Sequence, residues 1–330
     1  MRKLGIALVS AAVLALTGMV PAQHAAAQTS AANTDPTVSD LIWSGLWSGV
    51  NFNFSNPFSS SSRAQEQPQT PAATPQPAPI TTAGSYVALG DSVAAGIGLP
   101  TVSTVPSEET RCGRTQEAYP YAVAAAIQLP LIHLACSGAT AGDLITQQRV
   151  DGPNPSAQLG RAYASGTPQL ITITAGANDA HWQELILNCY YRDCATVPAK
   201  KLAEGYLLAL QGKLFALFTS IQLRSGGTPP TMIYTGYYNP ASSSCTQTLG
   251  GRITSAEVAW ITGEVNSLNS TIQQVASYYP FVRFAPVDFT GHDVCSTDSW
   301  IQGIQDSQPL HPTAAGQQAI AQSVLLSYNR

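Results

Sequence analysis

Charged side chains are scarce in this chain, and no basic tract occurs. Asp, Glu, Lys and Arg make up 10% of the 330 residues, and the formal net charge is −4. Proteins that bind nucleic acid need a basic patch or stripe to contact phosphates. We therefore expect no nucleic-acid partner.

The sequence also lacks the spacings that mark two classes of hydrolase. It has no Cys-x-x-Cys pair and no two histidines at helical metal-ligand spacing, which disfavours a zinc enzyme. Gly-x-Ser-x-Gly, the nucleophile motif of α/β-hydrolases, is also missing. A catalytic serine would have to lie in a different motif.

Residues 1–27 have the pattern of a secretory signal peptide. Arg2 and Lys3 precede an apolar run from Leu4 to about Val20, and residues 25–27 are the small residues that signal peptidase prefers. No later stretch is expected to span a bilayer. Removing the leader leaves 13 basic and 19 acidic side chains, a formal net of −6. We expect a soluble, secreted protein.

Residues 28–82 are rich in Ser, Thr, Pro, Gln and Ala, a composition that cannot bury a core and predicts an extended linker or prosegment. Residues 41–58 differ, because they carry two tryptophans and three phenylalanines. This aromatic segment either contacts an envelope surface, a lipid interface or the following domain, or is a loosely ordered part of the prosegment.

Residues 83–330 alternate strand and helix patterns, which predicts one α/β domain with a five-stranded parallel sheet. The expected strands are 86–89, 131–135, 170–174, 231–235 and 281–285. The expected helices are 119–128, 142–148, 199–224, 255–279 and 313–328, with Thr254 or Ser255 capping the fourth. Residues 180–198 are predicted to be a loop whose Trp182, Tyr190 and Tyr191 wall an acyl pocket.

All six cysteines follow the leader, and an even number in an exported chain favours disulfides. Among fifteen possible pairings we expect the sequential one, because it links successive loops without threading the chain. It joins Cys112 to Cys136, Cys189 to Cys194, and Cys245 to Cys295.

Three loops follow predicted strands and therefore meet at one edge of the sheet. Ser92 lies where the first strand ends, so it is either a nucleophile or an ordinary turn residue. Gly138 and Asn178 follow the second and third strands and offer N–H donors for an oxyanion, although either loop could be only a turn. Asp91 and Asp179 are expected to hold backbone groups of these turns.

A base for such a serine must come from the few histidines after the leader. His133 falls inside an apolar strand, His292 lies in a disulfide-linked loop, and His181 follows the third strand without being placed as a base. His311 precedes Pro312 and a predicted helix, so its backbone is stiff. It is the best candidate.

Four sequence blocks together, in this order, resemble those of the SGNH (GDSL-type) esterase and lipase family. They are Gly90-Asp91-Ser92, Gly138, Gly176-Ala177-Asn178-Asp179 and His311-Pro312. Residues 135–140, 152–155 and 293–295 are similar to secreted actinobacterial members. The resemblance implies a flavodoxin-like α/β/α fold, Ser92 as nucleophile, His311 as base, and an oxyanion hole from the N–H groups of Ser92 and Gly138 and the Asn178 amide.

One position departs from the family pattern. Members usually carry an aspartate three residues before the histidine, and here that residue is Gln308. Either Asp306 reaches the imidazole by another path, or a main-chain carbonyl near Gln308 accepts the Nδ1 proton. We favour the carbonyl, so that Ser92 and His311 act as a dyad.

These residues predict a carboxylic ester hydrolase that forms an acyl-serine and needs no cofactor or metal. Its partner would be a lipid or other acylated small molecule, and we expect a monomer. Two alternatives stay open: a carbohydrate O-deacetylase of the same family, and a noncatalytic envelope-binding module on the same fold.

Overall fold

A computed structural model of the chain describes residues 82–101 and 107–330. The predicted signal peptide, the linker and the aromatic segment 41–58 lie outside these residues. The predicted domain boundaries therefore remain predictions.

Five strands form one parallel sheet in the described part of the chain. They are β1 (Tyr86–Gly90), β2 (Leu131–His133), β3 (Leu170–Thr174), β4 (Thr231–Thr235) and β5 (Val282–Ala285). The spatial order is β2-β1-β3-β4-β5, which is the flavodoxin-like order. Every residue of β1 and β3 is buried, as expected for central strands that helices cover on both faces. The predicted fold class is confirmed.

Ten helices connect and cover these strands within the described residues. They are α1 (Ser92–Ala95), α2 (Glu108–Cys112), α3 (Tyr119–Ile127), α4 (Ala141–Ile145), α5 (Gln158–Ala162), α6 (Trp182–Tyr191), α7 (Val197–Arg224), α8 (Cys245–Thr248), α9 (Ser255–Ala276) and α10 (Ala314–Tyr328). Helices α3 and α10 pack together on one face of the sheet, while α4, α7 and α9 pack together on the other. The chain thus forms three layers.

Helix α9 begins where the sequence predicts. The Thr254 side chain accepts a hydrogen bond from the Glu257 N–H at 3.3 Å, and the Glu257 carboxylate accepts one from the Thr254 N–H at 2.9 Å. This reciprocal pair satisfies N–H groups that the first turn leaves without helical partners.

Two segments differ from the sequence-based expectations. Residues 182–191 form helix α6 instead of a loop. Helix α7 has 28 residues and is long and apolar enough to cross a membrane, judged by length and hydropathy alone. The sequence analysis expected no such segment after the leader. Five of its side chains nevertheless join the core of the domain: Leu210, Leu214, Leu217, Phe218 and Ile221.

The structure contains three disulfides, and they join the cysteines sequentially. The pairs are Cys112–Cys136, Cys189–Cys194 and Cys245–Cys295. The first joins the end of α2 to the loop after β2, and the second closes the turn after α6. Each therefore fixes a loop at or near the carboxyl edge of the sheet.

Candidate active site

Ser92 stands at the carboxyl end of β1, as the first residue of α1. Asp91 caps this short helix, since its Oδ1 atom accepts the Val93 N–H at 2.9 Å. The Asp91 N–H in turn donates to the Thr174 carbonyl oxygen at 2.8 Å. The sharp turn from strand to helix leaves the Ser92 hydroxyl partly exposed at the sheet edge.

The turn depends on the close approach of Gly90 to the neighbouring strand. Gly90 has a φ of +140°, and a Cβ atom there would lie 2.2 Å from the Thr174 carbonyl oxygen. The Gln158 side chain fixes the same peptide from the other side, accepting the Gly90 N–H at 2.8 Å and donating to the Gly90 oxygen at 2.9 Å. Any larger residue at Gly90 would separate β1 from β3.

The loop after β2 lies directly beside this turn. The Cys136 N–H donates to the Gly90 oxygen at 2.9 Å, and the Ser137 N–H donates to the Cys112 oxygen at the same distance. Gly138 follows with a φ of +79°, a conformation that favours glycine. The disulfide between Cys112 and Cys136 also holds this loop.

Two consecutive side chains fasten the loop after β3 to the loop after β2. The Asn178 Nδ2 atom donates to the Ala139 oxygen at 2.8 Å, and the Asp179 Oδ2 atom accepts the Ala141 N–H at 2.8 Å. Lys213 of α7 balances the charge of Asp179, with its Nζ atom 2.7 Å from Oδ1. Asp179 thus holds a backbone group of the site, as its place in the turn predicts.

His311 meets Ser92 across 219 positions of sequence: its Nε2 atom lies 2.8 Å from the Ser92 Oγ atom. Its Nδ1 atom lies 3.1 Å from the Pro309 oxygen and 3.3 Å from the Gln308 oxygen. Carbonyl oxygens only accept hydrogen bonds, so Nδ1 must carry the proton. Nε2 is then free to accept the serine proton.

Asp306 does not reach the imidazole. Its Oδ2 atom accepts the Gly303 N–H at 2.6 Å, and no hydrogen bond or ion pair joins it to His311 within the described chain. The sequence left two partners open for the Nδ1 atom of His311, Asp306 or a main-chain carbonyl. In the structure, Nδ1 faces main-chain carbonyls. Pro309, the residue after Gln308, supplies a second and shorter carbonyl contact.

The segment that carries His311 is held by contacts from three directions. Leu310 adopts a φ of +65°, which is strained for a leucine. The Tyr238 hydroxyl donates to the Leu310 oxygen at 2.7 Å, and the Gln183 Nε2 atom donates to the Pro309 oxygen at 2.9 Å. The Gln302 N–H donates to the His311 oxygen at 2.7 Å. These contacts stabilise the strained conformation and fix the imidazole.

The protonation of His311 suits a base. Burial lowers the pKa of its imidazole below the ordinary value, and the hydrogen bonds to the Gln308 and Pro309 carbonyls oppose that shift. The neutral form therefore predominates at neutral pH. Only the neutral imidazole can accept a proton from a serine.

Among the described residues, no hydrogen-bond acceptor is found for the backbone N–H groups of Ser92 and Gly138, which lie at this edge. The Asn178 amide has a second N–H besides the one that donates to Ala139. These are the three donors predicted for an oxyanion. The three donors lie after β1, β2 and β3, in loops that hydrogen bonds join to one another.

A pocket opens at the serine. Its lining comes from α1, the loop after β3, α6 and the histidine loop: Ser92, Val93, Ala177, Asn178, Trp182, Gln183, Pro309, Leu310 and His311. Trp182 therefore walls the pocket as predicted, whereas Tyr190 and Tyr191 are not among the lining residues. Gly138 lies outside this lining and is exposed.

The other histidines of the described chain lie away from the serine. The His133 Nε2 atom donates to the Ala94 oxygen at 2.9 Å, and burial lowers the pKa of this imidazole to about 3. His292 stacks on Trp300 with ring centroids 3.7 Å apart. His181 stacks on Tyr206 at 4.3 Å.

One cluster of potential metal ligands occurs in the described residues, formed by Cys245, Asp293 and Cys295. Its two cysteines form a disulfide. They therefore have no thiolate to offer a metal.

Sequence reasoning missed the glutamines that brace this site. Gln158 lies 68 positions from Gly90, and Gln183 lies 126 positions from Pro309. No local pattern marks either residue, because both contacts arise only when distant segments fold together. Both lie within helices, and their positions there carried no signal of their own.

The sequence matches the model of the GDSL-like Lipase/Acylhydrolase family over residues 88–319. Lipase 1 of Streptomyces coelicolor is 31% identical over 256 residues, which cover 75% of this chain and 88% of that protein. A lipase of Streptomyces rimosus is 27% identical over 247 residues, which cover 73% of this chain and 85% of that one.

Solved structures of Streptomyces enzymes have the same fold. Phospholipase A1 of Streptomyces albidoflavus NA297 superposes with a TM-score of 0.58 at 26% identity, covering 74% of this chain and 99% of that one. The extracellular lipase of Streptomyces rimosus superposes with a TM-score of 0.59 at 24% identity, covering 74% of this chain and 100% of that one.

Proposed function

We propose that this chain, which belongs to the GDSL-like Lipase/Acylhydrolase family, cleaves acyl esters through a covalent intermediate on Ser92. Membership of the family makes it a carboxylic ester hydrolase of the lipase and esterase type. The roles of individual residues and the export of the chain are the parts that we propose.

One observation carries the mechanism: the Ser92 Oγ atom lies 2.8 Å from the Nε2 atom of His311. The opposite nitrogen faces two main-chain oxygens, so the tautomer is fixed without a carboxylate. This arrangement supplies a nucleophile and its base. It does not supply the charge with which an aspartate would stabilise the imidazolium.

In the first half of the reaction, the Ser92 oxygen attacks the ester carbonyl carbon while His311 takes the hydroxyl proton. The carbonyl electron pair moves to its oxygen, where the N–H groups of Ser92, Gly138 and Asn178 donate to the negative charge. When the C–O bond to the alcohol breaks, the imidazolium returns the proton to the leaving oxygen. The acyl group remains on Ser92.

In the second half, water attacks the acyl-serine and His311 accepts the proton of that water. The same donors stabilise the second tetrahedral intermediate, which collapses to a carboxylic acid and a free serine. The proton on the imidazolium passes to the Ser92 oxygen. Each step uses only groups of this chain and water.

The described pocket favours lipid or other apolar acyl esters, because Val93, Trp182 and Leu310 line it beside the reactive pair. A short acyl group on a carbohydrate would also fit beside a tryptophan. A lipase or esterase is therefore our first candidate, and a carbohydrate O-deacetylase is the alternative that the assay must separate.

Export is the second part of the proposal. Three disulfides are typical of proteins that fold in an oxidising compartment, and residues 1–27 have the signal-peptide pattern. We expect the chain to appear in the culture medium as a monomer that begins after Ala27, with residues 41–58 available for contact with an envelope or lipid surface. N-terminal sequencing and light scattering of the secreted protein test the first two expectations.

The catalytic proposal is tested with the full exported chain, purified with its disulfides formed. Initial rates are measured on p-nitrophenyl acetate, butyrate and palmitate, and acetate release is measured on acetylated xylan. The Ser92→Ala variant is the matched control, because it removes one oxygen atom at the reacting centre.

We expect turnover of the butyrate or palmitate ester that the Ser92→Ala variant loses. Activity confined to acetyl groups, with the polysaccharide preferred, would favour the deacetylase. A folded wild-type chain that hydrolyses no ester and does not react with a fluorophosphonate would favour the noncatalytic binding module.

A further inference from the structure

Tyr237 lies behind the candidate active site, two residues after the end of β4. Its side chain is buried, with 1% of its surface exposed. Asn269 of α9 holds its backbone on both sides: the Tyr237 N–H donates to Asn269 Oδ1 and the Asn269 Nδ2 donates to the Tyr237 oxygen, each at 2.7 Å. The position of the phenol ring is therefore set by a long helix of the core.

The hydroxyl of Tyr237 joins two loops of the site through one oxygen atom. It donates a short hydrogen bond to the Asp91 Oδ2 atom, and it accepts the Ala177 N–H at 3.1 Å. Burial raises the pKa of this phenol well above its ordinary value, so it keeps its proton. Asp91 directly precedes Ser92, and Ala177 directly precedes Asn178.

We propose that Tyr237 is a positioning residue that sets the place of the Ser92 nucleophile relative to the Asn178 amide. The inference rests on the function proposed above, and it adds a residue that is not itself part of the pocket lining. The bridge does not depend on the charge of Asp91, because both forms of a carboxyl group accept hydrogen bonds through Oδ2.

Replacing Tyr237 by phenylalanine would affect catalysis, because it removes the hydroxyl that joins the two loops. Tyr237→Phe keeps the ring but leaves the buried Asp91 Oδ2 atom and the Ala177 N–H without this partner. Both loops can then shift by fractions of an ångström to find other partners. In the transition state, the nucleophile and the oxyanion donor must both be correctly positioned against the substrate. Binding of the substrate in the ground state depends much less on their positions.

The test compares Tyr237→Phe with Tyr86→Phe in the full chain, using the ester that the wild type hydrolyses best. Tyr86 is a suitable control because it is also fully buried and its hydroxyl pairs with Thr172 at 2.7 Å, within the sheet and without contact to either loop. Values of kcat are normalised to the active sites titrated with a fluorophosphonate, and thermal unfolding of each variant is recorded.

For Tyr237→Phe we expect kcat to fall by about 10- to 100-fold while KM stays within about twofold of the wild type. The rate constant for fluorophosphonate labelling of Ser92 should fall with kcat. For Tyr86→Phe both constants should stay close to the wild-type values, whatever its melting temperature. Equal kcat values for the two variants would overturn the inference.

A second variant covers the case in which Tyr237→Phe does not fold. Asn269→Asp, on α9, replaces the amide that donates to the Tyr237 oxygen by a carboxylate that repels it. We expect the same signature, a lower kcat with KM unchanged. An unchanged kcat in this variant would overturn the inference equally.

Different results would overturn the proposed function and the role of Tyr237. If Ser92→Ala retains ester turnover, the proposed function itself is wrong. If Ser92→Ala is inactive while Tyr237→Phe and Tyr86→Phe behave alike, only the role of Tyr237 is wrong.

Discussion

The Nδ1 atom of His311 lies 3.1 Å from the carbonyl oxygen of Pro309, with the Gln308 oxygen 3.3 Å away on the same side. A main-chain oxygen fixes the tautomer of the imidazole as well as a carboxylate does, but it carries no net charge. Its place is set by the backbone, so no single side-chain substitution removes it. We therefore expect ester turnover to tolerate substitution of the carboxylates near this histidine.

The first prediction concerns Asp306, the nearest aspartate before His311 in sequence. Asp306→Asn should keep kcat/KM within about threefold of the wild type, because this carboxylate holds the Gly303 N–H and not the imidazole. Initial rates on a p-nitrophenyl ester measure the effect. A loss near the roughly 10⁴-fold that follows removal of a triad aspartate would show that Asp306 orients the base.

The second prediction concerns the pH dependence of catalysis. The pKa of His311 is lowered by burial, so the imidazole stays neutral to lower pH than an exposed histidine would. We expect kcat/KM to fall on acidification with a midpoint below about 6.5. A midpoint at or above 7 would instead indicate Asp91, whose pKa is raised to about 7, and would contradict the assignment of His311.

The third prediction concerns the oxyanion donors. Asn178→Ala should lower kcat by about 10²- to 10³-fold with little change in KM, since the amide donates to a charge that exists only during the reaction. Asn239→Ala is the matched control, because that amide pairs with Thr262 at 2.9 Å outside the site. Similar kcat values for both variants would remove Asn178 from the oxyanion hole.

The fourth prediction concerns stability, and it follows from the burial of Asp91. Burial raises the pKa of this carboxyl from 3.8 to about 7, so between these values the folded chain holds a proton that the unfolded chain has lost. The contribution of Asp91 to the free energy of unfolding therefore decreases as pH rises through this window. The amide in the Asp91→Asn variant does not titrate, so this variant does not lose that part of its free energy of unfolding as the pH rises.

Urea unfolding at pH 4 and pH 8 tests this expectation. The free energy of unfolding of Asp91→Asn, relative to the wild type, should increase from pH 4 to pH 8 by at most about 4 kcal/mol. The exposed Asp306→Asn serves as the control for loss of a carboxylate. A relative stability that stays constant or decreases with pH would show that Asp91 is ionised throughout.

Much of the sheet could be predicted because its strands are short apolar runs that end at turn residues. The bounds of β3 and β4 match the predicted 170–174 and 231–235. Helix α9 has a capping box at Thr254 that is visible in the sequence. Helix α7 begins two residues before its predicted start, because Thr196 caps it and Pro198 is accepted in its first turn.

Helix α6 carries a helical pattern, although the sequence analysis predicted a loop there. Trp182, Leu185, Ile186 and Cys189 stand at helical spacing, and Trp182, Ile186 and Cys189 are buried. The cysteine pair at the end of the segment favoured a loop instead. The helix forms because Trp182 and Ile186 are buried against the core.

The contact between Ser92 and His311 could be predicted, whereas the residues that hold the two in place could not. Ser92 and His311 lie at turns next to predicted elements, so their neighbourhood in the sheet follows from topology. Gln158, Gln183 and Tyr237 act through contacts with distant segments. Nothing in the sequence around them specifies which distant backbone group they will meet.

Titration of the full chain with a fluorophosphonate tests the central claim most directly. The account predicts one adduct per chain, found by peptide mass spectrometry on Ser92, and a loss of ester turnover in proportion to the adduct formed. The Ser92→Ala variant should form no adduct. Full turnover after stoichiometric labelling, or an adduct on another residue that abolishes turnover, would contradict the assignment of Ser92 as the nucleophile.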